Sequence, residues 1–330
     1  MTPSTNRGVN FPVEAAGIGL GWLAITFRAH TDSGRGALLR QVLHAVGVDD
    51  PRPRARGIRG YDQALDVLTE SAVGWTDDRP REVHLTLKQA DCSWERFAAL
   101  LQVADGAESW QASRVDLNYD DQERTALPGD VEAAVVAGDV ITRADRRVHS
   151  TYLGGVCQSV YVGAMSSDRT LNVYDKDQER ADRTRGPVEL GRYGVRWELR
   201  LKDDRATRAV RDLRQVAEPV SYFWQSVCSL VDFVDRRGVK AHHTERAQRL
   251  AWFAELTGAA ARLKPYRARE AESETRRYWR LHRWLFTCAA AVAELQELAP
   301  NPLIIRELLA DGADRLAQRR ARAASRIHAA

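Results

Sequence analysis

The sequence predicts an α+β protein, with an antiparallel-sheet-rich domain and flanking helices followed by an all-helical C-terminal region. Two observations carry this. Apolar and polar residues alternate with period two in several segments between residues 20 and 203, the mark of strands with one buried and one polar face. After Lys202 the apolar spacing becomes that of helices. The chain then divides into a loose leader over 1–20, a sheet domain over 21–203 and a helical region over 204–330.

The elements follow in order. Residues 22–27 read as a first strand. Leu38, Leu39, Val42, Leu43 and Val46 have helical spacing, and Gly47 is a suitable stop. Residues 50–60 are a loop rich in Pro, Gly and Arg, and 65–75 hold a short apolar strand. In 82–88 Val83, Leu85 and Leu87 face inward while His84, Thr86 and Lys88 face outward. A helix over 93–104 has Ser93 as its N-cap. In 113–120 Val115, Leu117 and Tyr119 alternate with Arg114, Asp116, Asn118 and Asp120. A helix over 128–138 precedes a hairpin. Its arms bury Val160, Val162, Leu171 and Val173 and turn Ser159, Tyr161, Asn172 and Tyr174 the other way. In 195–202 Val195, Trp197, Leu199 and Leu201 form one face, and Arg196, Glu198, Arg200 and Lys202 the other. An apolar stripe then runs over 206–234, divided at Pro219, with further helices over 245–262, 275–298 and 303–328.

At 330 residues and net charge +4 the chain has the composition of a soluble protein with ample core. Arg greatly outnumbers Lys. Guanidinium forks suit phosphates, so an anionic polymer is one expected partner; gene base composition is the other source of such a bias. Cys92, Cys157, Cys228 and Cys288 are scattered without a CxxC pair, which reads as reduced thiols in a cytoplasmic protein. No apolar run spans a bilayer and the N-terminus has no hydrophobic signal segment. Zinc sites, disulfide frameworks and membrane spans are therefore not expected.

If the strands at 113–119, 170–174 and 195–201 share a sheet, Asp116, Glu198 and Tyr174 share its polar face, and His84 could join them. Hard oxygen ligands of this kind suit Mg²⁺ or Mn²⁺ rather than Zn²⁺. The plainer alternative is a solvated face with cross-strand ion pairs, Arg114 or Arg200 with Asp116 or Glu198. Lys176 follows Tyr174 on the same face if the strand continues, and a nearby ammonium or metal favours phenolate. Further on, Arg262, Lys264, Arg267, Arg269, Arg276, Arg277, Arg280 and Arg283 interleave with Tyr266, Tyr278, Trp279 and Trp284. Cations with aromatics at helical spacing hold phosphates and stack bases, or they form an ordinary amphipathic helix. His242-His243 and the basic stretch 315–328 read as solvated surface.

The succession RVDLNYDD (114–121), SVYVGAMSSDRTLNVYDKDQE (159–179) and VRWELRLK (195–202), with VHLTLKQADC (83–92) upstream, resembles the replication initiation factor family (Rep_trans). That family holds rolling-circle plasmid initiators and the related relaxases of integrative and conjugative elements. The resemblance implies a strand transferase, in which a tyrosine attacks a phosphodiester at an origin and leaves a 5′-phosphotyrosine and a free 3′-hydroxyl. It implies Tyr174 as nucleophile, with Tyr161 as the competing choice and Lys176 assisting. Asp116 and Glu198, with Glu179 third, are implied as ligands of Mg²⁺ or Mn²⁺, and Lys176, Arg200 and Arg114 as phosphate contacts. The cluster Arg267, Arg269, Arg276, Arg277 and Arg280 is implied for origin binding by the 204–330 region. Double-stranded and exposed single-stranded origin DNA, a second copy of the chain and a host helicase are the implied partners. A non-catalytic DNA-binding protein of the same fold and a metal-dependent nuclease using water are the alternatives.

Overall fold

Alternation decides which face of each strand is wet, and strand pairing then gathers those faces. The computed structural model describes residues 17–142, 148–188, 191–216, 218–237 and 247–258. All lie in the first of the two units into which the chain divides, Met1–Pro265 and Tyr266–Ala330.

The chain begins with β1 (Ile18–Arg28), α1 (Arg35–Ala45), β2 (Arg52–Pro53), β3 (Gln63–Asp66), β4 (Ala72–Trp75) and β5 (Glu82–Lys88). It continues with α2 (Trp94–Gly106), β6 (Ser109–Asp121), α3 (Pro128–Ala137), β7 (Val140–Thr142), β8 (Val148–Leu153) and β9 (Val156–Val162). Next come β10 (Arg169–Asp175), α4 (Lys176–Thr184), β11 (Val195–Lys202) and α5 (Asp203–Leu213). The last described elements are α6 (Pro219–Leu230), β12 (Val231–Asp235), β13 (Gln248–Arg249) and α7 (Ala251–Thr257). Ten strands form one sheet in the order β2-β3-β4-β5-β1-β6-β11-β10-β9-β8, and β13-β12-β7 form a small second sheet. The fold is α+β, with helices flanking a large antiparallel sheet.

Local chemistry sets the helix ends as expected. The Ser93 hydroxyl accepts from Arg96 N at the start of α2, and Gly138, at φ +78°, closes α3 in a left-handed conformation. Pro219 opens α6 at its first turn, where a missing N–H costs nothing.

Several expected boundaries move. Residues 18–20 belong to β1 rather than to a leader, because Ile18 and Leu20 are buried against β6. The apolar segment 65–75 is a hairpin of β3 and β4, and β2 lies within the loop at 50–60. The apolar stripe after Lys202 is helical only to Leu230. Val231, Phe233 and Val234 are buried in β12, whose period is two.

The back face of the sheet is the core. Val115, Leu117, Val160, Leu171, Val173, Trp197 and Leu199 are all buried there, as their alternation predicts. Beneath β11, Trp197 meets Trp224 at 5.4 Å, Phe253 at 6.2 Å and Phe233 at 6.4 Å between ring centroids. Helices α5 and α6 thus cover the strands that carry the polar face, and α5 ties itself on through Thr207. That hydroxyl accepts from Ala112 N and donates to Ala112 O, both at 3.0 Å.

Two β-bulges shape the centre. Between β1 and β6 the register shifts at Gly21, between Leu20 and Trp22, and again at Ser113, where Ile25 pairs Ala112 and Ala24 pairs Arg114. A bulge reverses the alternation that follows it. Leu20 and Leu23 both face the core, so Trp22 turns to the polar face opposite Asp116. A Cβ at position 21 would lie 2.8 Å from Asn118 Oδ1, so any other residue there would have to displace that side chain.

Candidate active site

Strands β6, β11 and β10 are neighbours in the sheet, and their registers stack polar residues in rows. Asp116 opposes Arg200, which opposes Thr170; Asn118 opposes Glu198, which opposes Asn172; Asp120 opposes Arg196, which opposes Tyr174. Opposed residues share a face, so Asp116, Glu198 and Tyr174 do meet on one surface.

The meeting is close. The Tyr174 hydroxyl donates toward Glu198 Oε2 at 3.4 Å, and Arg200 Nη2 donates to Glu198 Oε1 at 3.2 Å. Asp116, 2% exposed, accepts from Arg114 Nε at 2.9 Å and lies 3.5 Å from Arg200 Nε. Arg196 grips Asp120 with a fork of 2.6 and 2.7 Å. The cross-strand ion pairs of the plainer alternative are thus present, and they involve the same residues as the expected site.

Burial governs the charges. Withdrawal from water, then the negative charge of Asp116, raises the Glu198 carboxyl above its usual range, and Arg200 opposes this. The Tyr174 phenol is also pushed up, first by burial and then by Glu198, with Arg196 acting the other way. The phenol is therefore held protonated beside a carboxylate that takes a proton readily.

The strand stops at Asp175, contrary to the expected continuation through Lys176. The Asp175 carboxylate accepts from Gln178 N at 3.0 Å and caps α4. Lys176 therefore sits in the first helical turn, where it pairs with Glu179 at 2.6 Å and keeps its ammonium 5.6 Å from the Tyr174 ring centroid. The start of α4 is pinned by the buried Asp177, which accepts from Gly191 N at 2.8 Å, Tyr193 N at 2.9 Å and Gly194 N at 3.1 Å. Near the other end the Arg183 side chain bonds Gln89 at 2.7 Å and Glu70 at 2.8 Å, which ties the end of α4 to the segment after β5 and to the turn between β3 and β4.

Among the described residues no three of His, Cys, Asp and Glu gather in a way that could hold a metal ion. Glu179 is engaged by Lys176 and does not complete a trio with Asp116 and Glu198. His84 does not join either. It is buried, bonded to Thr26 at 2.9 Å and Thr86 at 3.2 Å, and stacked on Tyr61 at 5.2 Å. Alternation placed two further residues on the polar face without marking them as part of the site. Asn118 and Asn172 flank Glu198 in its row, and the Oδ1 of each is buried with no hydrogen-bond partner. Unpaired buried carbonyl oxygens are costly. With the Asp116 and Glu198 carboxylates they make a set of hard oxygen donors, which fits a divalent cation of the Mg²⁺ or Mn²⁺ type.

Tyr161 opposes Asn172 from β9, and its ring neighbours His149 at 6.2 Å. Among the described residues it contacts neither carboxylate. Arg262, Lys264, Arg267, Arg269, Arg276, Arg277, Arg280 and Arg283, with the aromatics between them, lie outside the described residues, as do His242, His243, Cys288 and the stretch 315–328. The remaining cysteines, Cys92, Cys157 and Cys228, are free thiols. No helix among the described residues is long and apolar enough to cross a membrane.

The fold is similar to that of a rolling circle replication initiator protein from Geobacillus stearothermophilus, with TM-score 0.61 and 18% identity over 74% of this chain and 96% of that one. An aspartate kinase from Clostridium acetobutylicum superposes with TM-score 0.17 at 8% identity, over 60% of this chain and 33% of that one, which is too little to inform the fold. Among curated proteins none matches the chain. The family described as replication initiation factor matches residues 111–297, a span that contains every strand of the Asp116, Glu198 and Tyr174 surface. The chain therefore belongs to the replication initiation factor family.

Proposed function

We propose that the protein is a rolling-circle replication initiator or relaxase that nicks and rejoins one DNA strand at an origin, with Tyr174 as nucleophile. The observation that carries this reading is the 3.4 Å approach of the Tyr174 hydroxyl to Glu198, in a row of buried acidic and amide oxygens. Tyr161 has no such neighbour among the described residues.

In this reading Tyr174 Oη attacks phosphorus as the bond from phosphorus to the 3′-oxygen breaks. The phenol proton passes toward Glu198, and the departing 3′-oxygen takes up a proton to become a free hydroxyl. The ester bond to tyrosine keeps the energy of the cut bond, so rejoining is the reverse attack by a 3′-hydroxyl. Arg196 favours the phenolate against burial and Glu198, and the Lys176 ammonium lies 5.6 Å from the ring centroid. Asp116 and Glu198, flanked by Asn118 and Asn172, would hold Mg²⁺ or Mn²⁺, which when bound polarises the scissile phosphate. Arg114 and Arg200, which neutralise the two carboxylates here, would then turn to the phosphate. Action in the cytoplasm, a homodimer, a host helicase and origin recognition by the arginines at 267–280 belong to the same reading.

The test incubates supercoiled DNA carrying the cognate origin with Mg²⁺ or Mn²⁺, followed by a denaturing gel. A covalent protein–DNA adduct that is lost in Tyr174→Phe and kept in Tyr161→Phe is the expected result. Nicking without an adduct would establish a hydrolase, and a gel shift without cutting a binding protein. An adduct lost in Tyr161→Phe instead would move the nucleophile to β9.

A further inference from the structure

Next to the Arg114–Asp116 pair, three cations converge on the indole of Trp22, which with Arg59 and Lys88 precedes the matched residues 111–297. Arg114 lies 3.9 Å, Lys88 4.8 Å and Arg59 5.7 Å from the Trp22 ring centroid. Trp22 reaches this position only because the bulge at Gly21 turns it off the core face, and there it opposes both Asp116 and Lys88 across the sheet.

The charges around it are unbalanced. Three of the carboxylates nearby already have cations. Asp116 has Arg114 and Arg200, Glu70 has Arg183 at 2.8 Å, and Asp66 has Arg54 at 3.0 Å. Among the described residues Lys88 and Arg59 have no carboxylate within 4.0 Å. Arg59 is an exposed residue, yet loss of water around its guanidinium, and then the charge of Arg114, lowers its pKa. Cation–π contacts offset only part of the like-charge repulsion, so the cluster is short of an anion.

The space for one is present. Trp22, Ile58, Arg59, Thr86 and Lys88 line a cavity of about 270 Å³, which also borders Arg54 and Glu70. Arg54, Glu70 and Lys88 line a second cavity of about 660 Å³ as well, toward the β2–β3 edge. By strand spacing and rise, Trp22 lies roughly 12 Å from Glu198 across the polar face, within reach of a phosphate near the one being cut.

We propose that Trp22, Lys88 and Arg59 form a subsite for a backbone phosphate of single-stranded DNA neighbouring the scissile phosphate, with the strand running on along the groove toward β2. The subsite deepens the strand-transfer reading and rests on it for the identity of its ligand. Arg114 is shared between this subsite and the catalytic carboxylates, so occupancy here would draw one guanidinium away from Asp116.

The test uses the full chain and a fluorescein-labelled oligothymidylate about 12 nucleotides long, followed by anisotropy across a salt series. Arg59→Ala combined with Lys88→Ala should weaken binding roughly tenfold and flatten the log K against log salt slope by about 0.7 for each phosphate no longer neutralised. Trp22→Phe, which keeps a ring for the cations, should weaken it less than Trp22→Ala. Arg40→Ala, an exposed arginine on α1, is the control for net charge. On cognate origin DNA the Arg59/Lys88 variant should form adduct with a raised KM and an unchanged kcat. Unchanged affinity and slope in the Arg59/Lys88 variant, or an equal loss in Arg40→Ala, would overturn the subsite. Absence of adduct from the unaltered protein, with the anisotropy differences intact, would overturn the strand-transfer reading and leave the subsite standing.

Discussion

His84 supplies a stability prediction that also separates a metal ligand from a core residue. The ring is 3% exposed, and both nitrogens are committed, one to Thr26 and the other to Thr86. Burial, then the charges of Arg59 and Arg79, push its pKa down from 6.5 to about 4. A depressed histidine leaves the folded state binding fewer protons than the unfolded chain. Its contribution is therefore intact above the unfolded pKa and is lost as pH falls toward the folded value. With these two pKa values the loss is about 2 kcal/mol at roughly pH 5 and about 3 kcal/mol at roughly pH 4. For a domain of this size about 2 kcal/mol corresponds to roughly 4–8 °C in Tm. Urea unfolding measured between about pH 7.5 and pH 5 should show this slope in the unaltered protein. His84→Gln should lower stability at neutral pH and lose most of the slope. Carboxylates at their usual pKa values add little in that window, and the raised Glu198 acts with the opposite sign, so the comparison is of slopes between His84→Gln and the unaltered protein. A His84 ring proton resonance with a midpoint near 6.5, or an undiminished slope in His84→Gln, would refute the reasoning. A shift of that resonance on adding Mg²⁺ would restore His84 as a ligand.

Two further outcomes follow from the same surface. Glu198 is raised, so its ionisation opposes folding, and stability is lost as pH rises through its folded pKa. Glu198→Gln should accordingly raise Tm at about pH 8 by a few degrees, with the gain vanishing in acid, while adduct formation falls by at least about a hundredfold; a lower Tm at alkaline pH would contradict the burial argument. Asp177→Ala removes the acceptor of three backbone N–H groups and a neighbour of Arg124 at 3.6 Å. It should cost about 2–4 kcal/mol in denaturant unfolding, and a cost below about 0.5 kcal/mol would show that the 191–194 segment finds other partners.

Where alternation is strict, the sequence was enough. The runs at 113–120, 159–162, 170–174 and 195–202 told which side chains share the polar face, because a strand's side-chain period is two whatever lies beside it. On that basis alone Asp116, Glu198 and Tyr174 belong to polar faces, and Pro219 and Gly138 mark helix ends through their own backbone limits. The ordered motifs at 83–92, 114–121, 159–179 and 195–202 together also carried the family. What the linear pattern could not supply was pairing between strands far apart in the chain. The placement of Asn118 and Asn172 on either side of Glu198 depends on register between β6, β11 and β10, set by turns and core packing. The expectation for Lys176 departed from the structure because Asp175 caps a helix where a continued strand was read. His84 has a strand's polar parity, yet Tyr61 and its loop bury it. Trp22 is the clearest case. A single extra residue at Gly21 reverses the parity of β1, and three cations from separate segments then close on the indole. Bulges and long-range charge clusters are fixed by the packed sheet as a whole, so only the tertiary structure decided them.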